Sequence, residues 1–195
     1  MGAERPATHG LRLFVAAEVP DVVKRSVAAA IEPWRQTFPD ARWIPPENWH
    51  VTLKFLGATG RDLLPWIEAT ISAVATVHPP AEANLANLGA FPSAGRARVL
   101  WAGLEEPDDR LGALVSSLEA ALSKEFPVEV RRFHPHLTVA RSDPPLRLPH
   151  RFAETRCASG PFGIERLVLY RSHLQRPRPR PSPRYEALRF FPLGR

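Results

Sequence analysis

The chain has 195 residues, of which 44% are hydrophobic, and it contains a single cysteine. This length suits one domain or two small lobes that share a core, and one cysteine excludes an internal disulfide framework and a thiolate-rich zinc site. The net charge of +6 and the pI of about 10.4 favour an anionic partner such as nucleic acid. We expect no signal peptide and no membrane-spanning run, and therefore a cytoplasmic protein.

The first half of the chain shows hydrophobic periodicities typical of alternating strands and helices. Strands are predicted where strand-forming residues cluster, and helices where apolar residues recur every three or four positions. The predicted strands cover residues 11–15, 50–56, 83–91 and 97–103, and the predicted helices carry apolar stripes over 23–34 and 64–74. Prolines at 33 and 39 mark the far end of the first helix, and residues 41–49 form a proline-bearing loop.

The second half continues in the same way, with one helix and four strands. The helix starts near Asp108 and ends by Pro127, and a proline-rich connection covers residues 143–149. The predicted strands cover residues 129–133, 136–140, 165–171 and 185–191. Proline lacks the amide donor that a sheet needs, so residues 176–184 are expected to form a mobile Pro/Arg loop, and residues 1–10 a flexible N-terminus. The order of elements predicts a single α+β domain over residues 1–195, with helices covering a mainly antiparallel sheet.

Two triplets of the pattern His-x-Thr stand out, and each lies on a predicted strand. They are His50-Val51-Thr52 and His136-Leu137-Thr138. Because side chains alternate along a strand, each histidine shares one face with its threonine, while the residue between them points into the core. Chance alone gives roughly 0.3 such triplets in a chain of this composition, so two on matching faces indicate a function.

A pair of histidines suits phosphodiester cleavage. One imidazole can take a proton from water while the other protonates the departing oxygen, and one phosphate between them separates their apparent pKa values. The threonine hydroxyls can donate hydrogen bonds to the non-bridging phosphate oxygens. No metal or other cofactor is needed for this chemistry.

Other kinds of site have weaker support. A metal site could use His134 and His136 with His50 as a third ligand, but no carboxylate lies nearby in the sequence, and His134 is better explained as a supporting or solvated residue. Cys157 has no histidine near it in the sequence, and no Gly-x-Ser-x-Gly elbow is present. We assign no role to the remaining histidines, which are His9, His78, His150 and His173.

Segments along nearly the whole chain resemble the 2H phosphoesterase superfamily. Within it they are most similar to the bacterial and archaeal RNA 2′,3′-cyclic phosphodiesterases, long called 2′-5′ RNA ligases. The segments that carry the resemblance are 11–16, 42–57, 89–92, 98–103, 133–141 and 169–172. The resemblance implies a two-lobed fold with sheets lining a central cleft, helices outside, and one His-x-Thr motif on each side.

The resemblance also implies a role for each site residue. His50 is the expected proton donor to the departing 3′-oxygen, and His136 the expected proton acceptor from water. The expected substrate-binding residues are Thr52 and Thr138 for the phosphate, and Phe55 and Arg141 for the terminal base. The expected product is a 2′-phosphate beside a free 3′-hydroxyl, and the expected partner is an RNA or oligonucleotide with a cyclic phosphate end. We expect the protein to be a monomer.

Strict alternation conflicts with the last two of these residues. It places Phe55 and Arg141 on the face opposite the histidines, so the strands must end, twist or bulge before these positions. Two other functions stay open at this point: a module that binds RNA ends or nucleotides without catalysis, and a phosphoesterase for a different cyclic nucleotide. Intact histidines and threonines in both motifs favour an enzyme, and the basic surface favours RNA.

Overall fold

The structure is a computed structural model that describes residues 10–173 and 184–194. These residues form a nine-stranded sheet in which all strand pairs are antiparallel. The strands are β1 (Leu11–Ala17), β2 (Arg42–Trp43), β3 (Val51–Thr59), β4 (Ala81–Phe91), β5 (Ala97–Glu105), β6 (His136–Leu146), β7 (Phe162–Ile164), β8 (Arg166–His173) and β9 (Arg184–Pro192). The helices are α1 (Asp21–Thr37), α2 (Leu64–Val77), α3 (Arg110–Leu122) and α4 (His150–Ala153).

The sheet consists of two four-stranded halves joined in the middle. One half runs β7-β4-β5-β6 and the other runs β3-β1-β8-β9. β3 and β6 meet at one residue pair, Val51 with Leu137, which we call the seam pair. The short strand β2 pairs with β6 beside it. The centre of each His-x-Thr motif therefore forms the seam between the two halves.

The helices bury their apolar stripes in a core that the sheet shares. In α1 the stripe consists of Val23, Val27 and Ile31, which are fully buried. Both residues of the seam pair are fully buried in the same cluster. Burial of one face of the sheet fixes the register, and it leaves the histidines on the other face.

The predicted α+β class with a mainly antiparallel sheet is confirmed, and the two predicted lobes correspond to the two halves of one continuous sheet. Most predicted elements are present with ends displaced by a few residues. The expected loop at 41–49 contains β2 and a 3-10 turn at Pro46–Asn48. Sequence reasoning also missed β7 and α4, which are only three and four residues long.

The strand predicted at residues 129–133 is wrong. The backbone N–H of Glu129 donates to a carboxylate oxygen of Glu119, and that of Arg131 donates to the Glu129 side chain. Side chains therefore satisfy amide groups that a strand would use for its ladder. The segment has strand-like composition but no strand partner among the described residues.

The proline-rich connection predicted at residues 143–149 is also wrong in part, because β6 continues to Leu146, which pairs with Ala97. Its prolines at 144 and 145 lie where the register with β5 shifts, and a bulge tolerates a missing amide donor.

In the first helix Pro33 does not end the helix, since α1 continues to Thr37. The ring removes one hydrogen bond there, while Trp34 keeps the last turn packed in the core.

The flexible N-terminus predicted at residues 1–10 lies outside the described residues except for Gly10. The Pro/Arg loop predicted at 176–184 also lies outside them, apart from Arg184, which is the first residue of β9. Within the described residues, no helix is long and apolar enough to cross a membrane.

Candidate functional site

The two motif histidines are held in the same way. His50 immediately precedes β3, and His136 is the first residue of β6. Nδ1 of His50 lies 2.8 Å from the carbonyl oxygen of Asn48, and Nδ1 of His136 lies 2.7 Å from that of His134. Since a carbonyl only accepts hydrogen bonds, each Nδ1 carries a hydrogen and donates it. Nε2 of each ring is then the atom that can gain or lose a proton.

The register at the seam interleaves the two motifs. The seam pair is antiparallel, so one step along each strand sets His50 opposite Thr138 and Thr52 opposite His136. All four side chains are half-buried, while their neighbours in the seam pair are fully buried. We call the surface formed by these four side chains the histidine face. Each histidine is therefore beside the threonine of the other motif as well as that of its own.

A β-bulge interrupts the alternation in β3. Thr52 pairs with Ala16 and Lys54 pairs with Val15, so Leu53 has no partner on β1. Leu53 and Lys54 are both buried, although they are consecutive. The next residue, Phe55, returns to the histidine face and is 69% exposed. The conflict between alternation and the family resemblance is resolved at this bulge.

A second bulge lies at the matching position of β6. Thr138 pairs with Trp101 and Ala140 pairs with Leu100, so Val139 has no partner on β5. The next residue, Arg141, is exposed. Residues 50–55 and residues 136–141 have the same order of half-buried, buried and exposed side chains. The structure therefore brings Phe55 and Arg141 to corresponding places on the histidine face.

His50 lies among aromatic rings that sequence reasoning did not identify. Phe14 stacks on it with ring centres 4.8 Å apart, and Tyr185 meets it edge-on at 5.1 Å. Tyr170 lies 5.7 Å away, and its hydroxyl donates to Glu18. Burial lowers the pKa of His50 to about 4, against the opposing effect of its hydrogen bond to Asn48. These aromatic residues lie on strands in different parts of the chain, so no local motif marks them.

His136 has an aromatic surrounding of its own. Phe91 meets it edge-on at 5.2 Å, and Trp101 lies 6.1 Å away. The ring of His134 packs against Trp101 at 4.9 Å, so His134 supports the site through its ring as well as its carbonyl group. Burial is the main cause that lowers the pKa of His136, against the opposing effect of its hydrogen bond to His134, and the electrostatic effects of His134 and Arg141 lower it further.

A buried ion pair lies beneath the histidine face. Nζ of Lys54 lies 2.5 Å from a carboxylate oxygen of Glu119 and donates to the carbonyl oxygen of Pro127 at 2.6 Å. Glu119 belongs to α3 and also accepts a hydrogen bond from the backbone of Glu129. This network ties the bulge in β3 to α3 and to the segment that follows it. The sequence shows Lys54 only as a polar residue in a strand, where alternation favours exposure.

The other sequence candidates lie apart from this arrangement. Cys157 is buried, which raises the pKa of its thiol to about 11, so it is not a reactive nucleophile. The histidines to which no role was assigned pair with Ser117 (His78), Glu154 (His150) and Glu186 (His173), while His9 lies outside the described residues. Within residues 10–173 and 184–194, no three His, Cys, Asp or Glu residues group so that they could hold a metal ion.

Comparison with known proteins agrees with this geometry. Residues 23–176 match the family model of the 2′-5′ RNA ligase superfamily. The chain belongs to this superfamily. The match includes both motifs, the two bulges and the Lys54–Glu119 pair, so the superfamily assignment covers the whole histidine face.

Named relatives of this superfamily member include RNA 2′,3′-cyclic phosphodiesterases. The protein of that name from Geobacillus stearothermophilus is 29% identical over 92% of the chain, which spans 56% of that relative's length. The one from Thermus thermophilus is 35% identical over 71% of the chain and 73% of its own length. The crystal structure of TT0787, also from Thermus thermophilus, matches with a TM-score of 0.76 and 29% identity, covering 94% of this chain and 98% of that one.

Proposed function

We propose that the protein hydrolyses RNA 2′,3′-cyclic phosphate ends to a 2′-phosphate and a 3′-hydroxyl, using two histidines and no metal ion. The observation that carries the proposal is the matched pair of imidazoles. Each ring is fixed through Nδ1 to a carbonyl two residues earlier, and each lies on the histidine face beside two threonines. The naming of relatives as RNA 2′,3′-cyclic phosphodiesterases supports the same activity.

The reaction needs one proton to leave water and one to reach the ribose. Nε2 of His136 accepts the proton of the water that attacks phosphorus, and the bond between phosphorus and the 3′-oxygen breaks. Nε2 of His50 delivers its proton to that oxygen, so a neutral 3′-hydroxyl leaves. The phosphate stays on the 2′-oxygen. Afterwards His136 carries a proton and His50 lacks one, and exchange with solvent restores the starting state.

The lowered pKa values require the proton on His50 to be stabilised by the substrate. In the free protein, burial keeps both imidazoles neutral near pH 7. A cyclic phosphate brings a negative charge beside the rings, which favours the imidazolium form and raises both pKa values. The two rings share one phosphate, so only one of them gains a proton readily. Charge on the substrate thus favours the singly protonated pair, and the reaction proceeds from the form in which His50 holds that proton.

Thr52 and Thr138 hold the phosphate in this proposal. Their hydroxyls can donate to the non-bridging oxygens, where negative charge accumulates as water attacks. The seam places each threonine opposite the histidine of the other motif. The phosphate therefore rests across the junction of the two halves, with an imidazole at either end.

Phe55 and Arg141 hold the terminal base and so decide which oxygen leaves. An aromatic ring and a guanidinium plane both stack on any base. With the base between them and the phosphate on the threonines, the ribose can sit in only one orientation, and the family resemblance implies that this orientation presents the 3′-oxygen to His50. Turning the ribose over forfeits stacking worth roughly 1–3 kcal/mol. The partner is RNA with a cyclic phosphate end, bound by a cytoplasmic monomer, and weak 2′-5′ ligation is the reverse of the same steps.

The test is product analysis on a short RNA that ends in a 2′,3′-cyclic phosphate. We expect a 2′-phosphate that resists a phosphatase specific for 3′-phosphates, and turnover that survives excess chelator. Efficient release by that phosphatase would require the roles of His50 and His136 to be exchanged. Loss of turnover in chelator that only added zinc or manganese restores would contradict the metal-free scheme.

A further inference from the structure

Arg42 lies directly beside Arg141 on the histidine face. β2 pairs with β6 in the register that sets Arg42 opposite Arg141 and Trp43 opposite Ala140. Opposed residues of an antiparallel pair project from the same side of the sheet, so Arg42 shares the face on which the second bulge places Arg141. Trp43 points the other way, packs against the core, and donates its ring N–H to the carbonyl of Phe38 at 3.0 Å.

Among the described residues, no acidic side chain pairs with either arginine. Like charges directly opposite each other destabilise a strand pair, yet neither guanidinium forms a salt bridge with an acidic group of the described residues. Nε of Arg42 is moreover buried, and no described group accepts its hydrogen. A buried donor without an acceptor costs free energy. An anionic ligand would supply both the missing acceptor and the missing charge.

Arg42 also lies close to an aromatic residue that packs against His50. Tyr185, whose ring meets His50 at 5.1 Å, lies within electrostatic reach of both Arg42 and Arg141. Lys24 of α1 lies within electrostatic reach of His50. Cations from three separate elements thus lie within electrostatic reach of His50 or of the Tyr185 ring that packs against it, and a polyanion bound at the histidine face would be attracted to them.

We propose that Arg42, together with the N–H edge of Arg141, binds the phosphodiester group that precedes the terminal nucleotide. A guanidinium can stack through its plane and still donate hydrogen bonds from its edge to a phosphate, so Arg141 serves the base and the backbone together. The inference rests on the proposed function and narrows it. The preferred substrate is an RNA strand of two or more nucleotides, in preference to a cyclic mononucleotide.

The experiment compares kcat/KM for a 2′,3′-cyclic mononucleotide and for a dinucleotide with the same cyclic end. We expect the wild type to favour the dinucleotide by about tenfold or more, as for a hydrogen bond to a charged group. In Arg42→Gln this ratio should fall by at least about threefold, and any preference that remains reflects the N–H edge of Arg141. Arg35→Gln is the matched control, since Arg35 is exposed on α1, and it should keep the wild-type ratio.

A second substrate tests the same contact without changing the protein. A dinucleotide whose internal linkage is an uncharged methylphosphonate should lose the advantage in the wild type, and Arg42→Gln should then cause no further loss. An unchanged ratio in Arg42→Gln, or a methylphosphonate turned over as well as the phosphodiester, would overturn the inference. If Arg42→Gln does not fold, the inference is tested by comparing turnover of the phosphodiester and the methylphosphonate by the wild type.

Binding measurements separate this inference from the proposed hydrolysis. Calorimetry with a dinucleotide 2′-phosphate and a mononucleotide 2′-phosphate requires no turnover. Tighter binding of the dinucleotide that depends on Arg42 would keep the phosphate site even if the protein hydrolysed neither cyclic substrate. Equal binding of the two probes by the wild type would remove the phosphate site and leave the hydrolysis untouched.

Discussion

Lys54 and Glu119 form an ion pair inside the protein, with Nζ 2.5 Å from the carboxylate oxygen. Lys54 is 3% exposed, and it follows the bulged residue of β3. The pair therefore anchors the strand at the point where its alternation changes and Phe55 turns towards the histidine face. Loss of this ion pair should therefore lower the stability of the protein, and it should weaken substrate binding indirectly through Phe55.

Replacement of one partner should destabilise the protein strongly. Lys54→Met leaves the Glu119 carboxylate buried without its cation, and the free energy of unfolding should fall by about 3–5 kcal/mol. The double variant Lys54→Met with Glu119→Leu should lose less, because neither charge remains. Urea denaturation measures the free energy of unfolding of both variants. Arg98→Met is the control, since its ion pair with Asp143 is largely exposed and worth less than about 1 kcal/mol. Equal losses for Lys54 and Arg98 would contradict the anchoring role.

The two motif histidines should behave as a unit in the proposed reaction. His50→Ala and His136→Ala should each lower kcat by roughly 10²-fold or more, and the double variant should be little worse than either. Circular dichroism should show an intact fold, since both rings lie on a surface of the sheet. His150→Ala is the control, because that ring is exposed and paired with Glu154. Activity within about threefold of wild type for either single variant would refute the assignment.

The stacking pair should affect binding of substrate more than chemistry. Phe55→Leu removes the aromatic face and Arg141→Lys removes the planar cation, so KM should rise several-fold for each while the free energy of unfolding stays nearly unchanged. Phe190→Leu is the matched control, as Phe190 is also exposed but lies on β9 beside Arg166. Lower stability with unchanged KM in Phe55→Leu would instead make Phe55 a packing residue.

Activity should depend on pH differently in the free and bound protein. Burial lowers the pKa of both histidines, that of His50 to about 4, and kcat/KM reports the free protein. The singly protonated pair is thus most abundant below the ordinary histidine pKa of about 6.5, and kcat/KM should peak there and fall as pH rises. Bound phosphate raises both pKa values, so the kcat profile should lie at higher pH. Coincident profiles would show that the substrate does not supply the stabilising charge.

The sequence alone predicted the α+β class, the antiparallel pairing and the placement of both motifs on strands. These predictions succeeded because hydrophobic periodicity and motif spacing are visible in a short stretch of sequence. It could not place Phe55 or Arg141 on the histidine face without the family resemblance. Both positions depend on bulges at Leu53 and Val139, and a bulge is defined by a partner strand. Lys54 was missed for a related reason, since its burial depends on Glu119, far away in the chain.

Other errors came from groups whose partners are not visible in a local window. The segment at 129–133 has strand composition, but side chains use its amide groups. The aromatic rings around His50 come from β1, β8 and β9, and nothing in their local sequence distinguishes them from core residues. Arg42 was likewise a loop residue until its pairing with Arg141 was known.

Among the described residues, β3 and β6 pair with each other at the seam pair alone. The motif histidines and threonines lie one residue from Val51 or Leu137, about 3.3 Å along the strand, whereas Phe55 and Arg141 lie four residues away, about 13 Å. A rotation of one half of the sheet by about 10° about this point would move the near groups by about 0.6 Å and the far ones by about 2 Å. Because β3 and β6 are antiparallel, Phe55 and Arg141 extend from the seam pair in opposite directions, and a small change in the angle between the two halves would displace each of them about four times as far as the motif histidines and threonines.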